Sequence, residues 1–113
     1  MDKERHIRAY KHYFADFISS IQPGASKKIR YVLDLLKTQE RLSEKFVKHI
    51  QEGLFELRAE HESNIYRVFF IFDNGNIVIL FNGFQKKSQK TPKSEIKKAL
   101  NLKNEYYGTK GNK

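Results

Sequence analysis

The stretch from Tyr66 to Gln85 constrains this chain most. Two apolar runs flank Asp73-Asn74-Gly75-Asn76, and Asn-Gly between such runs is the strongest short-range signal for a type I′ β-hairpin. With Asn74 and Gly75 as the loop, Phe72 is expected opposite Ile77, Phe70 opposite Ile79, Val68 opposite Phe81 and Arg67 opposite Asn82. The strands are expected over Ile65 to Asp73 and Asn76 to Gln85, with a third before them over Leu54 to Glu60. A four-residue loop from His61 to Asn64 then puts Arg58 opposite Arg67. Side-chain alternation gathers Phe55, Leu57, Ala59, Tyr66, Val68, Phe70, Phe72, Ile77, Ile79 and Phe81 on a core face. The other face is mixed. It holds Phe69, Ile71, Val78 and Leu80 near the hairpin, and Arg58, Arg67 and Asn82 at the far end, flanked by Glu56 and Glu60. Two arginines opposed across a ladder repel, so a carboxylate or an anionic ligand is expected between them.

Upstream, Ile7 and Ala9 alternate with Arg8, Tyr10 and His12, a short edge strand over residues 6–12. Phe14, Phe17, Ile18 and Ile21 lie on one helical face, ended by Gln22-Pro23-Gly24. Ile29, Val32, Leu33 and Leu36 repeat that spacing in a helix from Pro23 to Thr38, which completes an αα-hairpin. Ser43 to Gln51 reads as one more short helical turn. The last helix opens at Thr91-Pro92, an N-cap and N1 pair. Its narrow apolar side, Ile96, Ala99 and Leu100, is expected on the apolar end of the mixed face, leaving the arginine end open. The expectation is an α+β domain over residues 1–107: N-terminal strand, helical hairpin, three-stranded antiparallel meander and C-terminal helix, with a flexible basic tail over 108–113.

Charge is uneven along the 113 residues. The net formal charge is +9: +3 over residues 1–40, −1 over 41–84 and +7 over 85–113. Such a cluster suits a polyanion through counterion release, or else forms a solvated tail. With no Cys, the chain has no disulfide framework, zinc finger or thiol nucleophile. The charged N-terminus and the lack of a long apolar run predict a soluble, cytoplasmic protein without a membrane span. His6, His12, His49 and His61 lack metal-ligand spacing, so no metal or small-molecule cofactor is expected. Each reads as a surface residue, with His49 and His61 the two within reach of a site at one end of the sheet.

Three segments carry a family resemblance: Gly53-Leu54-Phe55-Glu56-Leu57-Arg58, Tyr66-Arg67-Val68-Phe69-Phe70, and Gly83-Phe84-Gln85-Lys86-Lys87-Ser88-Gln89-Lys90-Thr91-Pro92 with Glu95-Ile96 and Ala99 after it. In this order they resemble the RelE/ParE toxin superfamily, nearest its HigB-like, phage-derived-protein branch. The resemblance implies a RelE-like fold and the toxin of a type II toxin–antitoxin pair. Such a toxin cuts mRNA in the ribosomal A site by metal-free acid/base chemistry and is neutralised by a helix-turn-helix antitoxin. It also implies that Arg67 meets the scissile phosphate with Lys86 and Lys87 beside it, and that Arg58 is the basic residue of the preceding strand. Asn82, Lys90 and Lys93 are grouped with them as RNA- or phosphate-binding residues. Members of the superfamily carry a tyrosine or histidine near one end of the final helix. Thr91-Pro92-Lys93 has neither, which leaves Tyr106 and Tyr107 as candidates for base or stacking platform. Two other readings stay open: a ParE-like toxin directed at gyrase, and a non-catalytic nucleic-acid-binding module.

Overall fold

The computed structural model describes residues 4–86 and 91–111. In chain order the elements are β1 (His6–Ala9), α1 (Tyr13–Ser20), α2 (Pro23–Thr38), β2 (Val47–Gln51), β3 (Leu54–His61), β4 (Asn64–Asp73), β5 (Ile77–Lys86) and α3 (Lys93–Gly111). The strands form one mixed sheet in the order β1-β5-β4-β3-β2, with β1 parallel to β5 and the other pairs antiparallel. The class is α+β as expected, with β1 at one edge and β3, β4 and β5 as the expected meander, but β2 adds a fifth strand at the other edge.

The helical hairpin follows its periodicity. Phe17, Ala25, Ile29, Val32 and Leu36 are buried against Leu57, Ala59, Tyr66, Val68 and Phe70 of the sheet. Pro23 opens α2, and Arg5 closes it by donating to the carbonyl oxygens of Leu36, Gln39 and Glu40 at 2.6–2.8 Å, a cation against the carbonyl end of the helix. Gly83 sits where an added Cβ would come within 2.4 Å of the Phe17 ring, so this close approach of α1 to β5 requires glycine.

Three sequence expectations need correction. The β4–β5 hairpin closes at Asp73 opposite Ile77, one residue later than the two-residue loop predicts. Asn74 and Gly75 do take positive φ, 58° and 69°. Asn76, however, gives its carbonyl to the His6 N–H of β1 and its own N–H to Asn74 O, which removes it from the β4 ladder. The slip puts Val78 and Leu80 on the α1/α2 side, and Ile77, Ile79 and Phe81 under α3. A bulge between the Phe70–Leu80 and Val68–Gly83 pairs adds a second residue on β5 and restores the expected parity beyond it. Arg67 therefore pairs with Phe84, not Asn82.

The second correction is Ser43 to Gln51, whose latter half is the edge strand β2 and not a helical turn. Val47 and Ile50 stand three apart, a spacing that one face of a helix would also allow. Strand alternation instead sends Val47 to the α2 side and Ile50, three residues on, to the α3 side. The third is the tail: α3 continues to Gly111, and Lys110 bridges Asp73 at 2.7 Å.

Candidate functional site

Arg58 and Arg67 are directly opposed in the β3–β4 ladder, so both leave the sheet on the face beneath α3. The turn that sets this register has two residues, Glu62 and Ser63, both with positive φ, and pairs His61 with Asn64. Glu56, two residues before Arg58, shares the face and supplies the expected carboxylate. Arg67 Nη1 donates to Glu56 Oε1 at 2.7 Å and to Thr91 Oγ1 at 3.1 Å. The Thr91 hydroxyl in turn donates to Glu56 Oε2 at 2.7 Å. Arg58 Nε lies 3.5 Å from Glu56 Oε1. One carboxylate thus lies against two guanidinium groups and a hydroxyl, the arrangement that makes a buried charge tolerable.

The arginine end is not open in the way the sequence predicts. Arg67 and Glu56 are each 1% exposed, whereas the Arg58 side chain is 23% exposed. Arg58 faces a cavity of about 470 Å³ at the edge of β3 beyond the end of β2, lined also by Lys28, Lys45, Phe46, Glu60, Glu62 and Ser63. Asn82 is buried; its Nδ2 donates to Glu95 Oε1 at 3.2 Å, and its Oδ1 has no partner among the described residues. Lys93 is exposed on the first turn of α3. Lys87, Lys90 and the side chain of Lys86 lie outside the described residues. Reading Thr91 as a helix cap misses its part in the network, and Lys28 and Lys45 carry no local motif that marks them.

Tyr106 and Tyr107 belong to the opposite end of the sheet. Tyr106 donates to Asp73 Oδ2 at 2.5 Å, beside Lys110 and next to the hairpin loop. Asp73 lies six residues along β4 from Arg67, roughly 20 Å at strand rise, so neither tyrosine joins the arginine cluster. Burial, and then the Asp73 carboxylate, push the Tyr106 phenol up to about 12. It is protonated at neutral pH and does not act as a base there. Burial also raises Tyr107. His49 packs edge-on against Phe55, and the His61 ring fills the space beside Gly24.

The Lys110 and Tyr106 hydrogen bonds hold the Asp73 carboxyl below its ordinary value of 3.8. Its folded pKa is thus the lower one. The stabilisation is fully present above about 3.8 and is lost as pH falls through the folded value. Asp73→Asn should therefore cost about 1–3 kcal/mol at pH 7, and the gap to wild type in denaturant unfolding should narrow below pH 4. A gap independent of pH would mean that Asp73 acts here through its neutral hydrogen bonds and not through its charge.

Comparison with known proteins agrees with the sequence resemblance. Residues 16–104 match the family described as phage-derived protein Gp49-like, and the chain belongs to that family. No curated protein matches it. Among solved structures, the fold is similar to a chain in the crystal structure of the archaeal RelE–RelB complex from Pyrococcus horikoshii OT3. The TM-score is 0.54 at 14% identity, covering 77% of this chain and 99% of that one. Family and fold together place the protein in the RelE/ParE toxin superfamily.

Proposed function

We propose that this chain is the toxin of a type II toxin–antitoxin pair, acting in the cytoplasm as a ribosome-dependent mRNA endoribonuclease. The observation that carries the reading is Arg58. It is a guanidinium anchored on buried Glu56, opposed by Arg67, and facing a cavity that also holds Lys28 and Lys45. Anchored cations of this kind suit a phosphate that gains charge during reaction. In the proposed step the 2′-oxygen, losing its proton to a base, attacks phosphorus; the P–O5′ bond breaks and the 5′-oxygen takes up a proton. Glu60 and Glu62 are proton acceptors lining the same cavity. Arg58, Lys86 and Lys87 bind and stabilise the phosphate, with Lys90 and Lys93 as further cationic contacts to RNA; Arg67 holds Glu56 and hence Arg58 in place, and Asn82, buried against Glu95, serves the fold rather than the strand. No step calls for a metal.

The RelE–RelB complex motivates a protein partner for this chain as well. The proposed partner is a helix-turn-helix antitoxin whose acidic segment covers the basic end and whose affinity falls steeply with salt. The deciding experiment maps mRNA ends on translating ribosomes with and without the purified chain. New ends within ribosome-protected codons are the expected result. Intact mRNA together with arrested gyrase would overturn the nuclease reading in favour of a ParE-like toxin.

A further inference from the structure

The apolar stripe of α2 is buried, but Tyr31 lies off it and is 51% exposed, more than any other large hydrophobic residue described. An aromatic ring left in water gains free energy when a flat partner covers it. One turn earlier, Lys28 places its ammonium 5.6 Å from the ring centroid. A second cavity, of about 310 Å³, lies here between Gly24, Lys27, Lys28, Tyr31 and His61. It shares Lys28 with the larger cavity that Arg58 faces, so the two adjoin at that side chain. Along the two lie Lys27, Lys28, Lys45 and Arg58 with one exposed aromatic, while the carboxylates Glu60 and Glu62 sit toward the β3–β4 turn.

We propose that this surface is a nucleotide subsite, in which the single strand leaving the Arg58 cavity stacks a base on Tyr31 and sets its phosphates against Lys27, Lys28 and Lys45. The inference rests on RNA being the target of the chain, and extends that reading to where the flanking nucleotides run. Single-stranded nucleic acid is bound by this combination, a cationic groove for the backbone and an aromatic platform for the bases. A duplex offers no free base face. An acidic peptide would use the lysines and leave the ring idle, and the exposed ring decides between them.

The test is fluorescence anisotropy with a labelled ten-nucleotide 2′-O-methyl RNA, which has no 2′-OH to react. Tyr31→Ala should weaken binding about 5- to 100-fold, and Tyr31→Phe, which keeps the ring, should bind as wild type. The Lys27→Ala, Lys28→Ala double variant should reduce the salt slope by about 1.4. Circular dichroism on each variant should show the wild-type spectrum, since Tyr31 and Lys27 are exposed and Lys28 is half-buried. Wild-type affinity in folded Tyr31→Ala overturns the subsite, as does an oligonucleotide that does not bind wild type. So does a Tyr31 dependence seen only with a glutamate-rich peptide. Tyr31-dependent RNA binding by a chain that never cuts mRNA would keep the subsite and overturn the nuclease. A nuclease indifferent to Tyr31→Ala in binding would keep the nuclease and overturn the subsite.

Discussion

An Arg67→Ala chain is expected to lose about 3–5 kcal/mol of stability, because it strands the Glu56 carboxylate in a site with 1% exposure. That is a large share of the stability of a small domain. The unfolding midpoint should fall by roughly 10–20 °C. Replacing both partners, Arg67→Met with Glu56→Leu, should recover much of the loss, since an apolar pair of similar volume removes the buried carboxylate, and Arg58, which loses its partner, is 23% exposed and keeps access to water. The cycle formed by the two single variants and the double variant isolates the coupling. A single variant within about 1 kcal/mol of wild type would show that Thr91 and packing hold this end without the ion pair.

How far this cluster could be read from residues alone follows from what fixes each part of it. Parity is a local property, so the opposition of Arg58 and Arg67 and their position with Glu56 on one face were legible once two strands were recognised. The α2 stripe was legible for the same reason, and its expected span, Pro23 to Thr38, is the one observed. The β4–β5 register was not, because the loop gains a residue when β1 takes the Asn76 carbonyl, a contact from 70 residues away in sequence. A strand partner that distant leaves no mark in the hairpin itself. Likewise β2 hides behind a three-residue apolar spacing, Val47 to Ile50, that one face of a helix and the two faces of a strand both accommodate. Burial was the least legible property. Arg67 in an alternating strand looks like any residue on a polar face, whereas in the fold it is 1% exposed and donates to Glu56 and to Thr91 ahead of α3. Tyr106 shows the converse: its place near the end of the final helix left both chemistry and packing open, and its bond to Asp73 at the hairpin end favours packing.

Burial also changes which arginine can test the proposed chemistry. Loss of activity in Arg67→Ala would follow from unfolding as readily as from a missing phosphate contact, so Arg58 and Lys87 carry the test. Arg58→Ala and Lys87→Ala should each lower the single-turnover cleavage rate on programmed ribosomes by about 10²- to 10³-fold, with little change in the concentration needed for half-saturation. A preorganised cation at the developing phosphorane is worth about 3–4 kcal/mol there and much less against the ground state. Arg58 is partly exposed and 3.5 Å from its carboxylate, so its removal should cost little stability and leave Arg67 to hold Glu56. Lys97, exposed on α3, provides the contrast. Lys97→Ala should shift half-saturation and its salt dependence while the bound rate stays as in wild type, since counterion release favours association and is spent before the bond breaks. If Arg58→Ala and Lys87→Ala change only half-saturation, as Lys97→Ala is expected to, then these cations merely attract RNA, and transition-state stabilisation must be assigned to other groups.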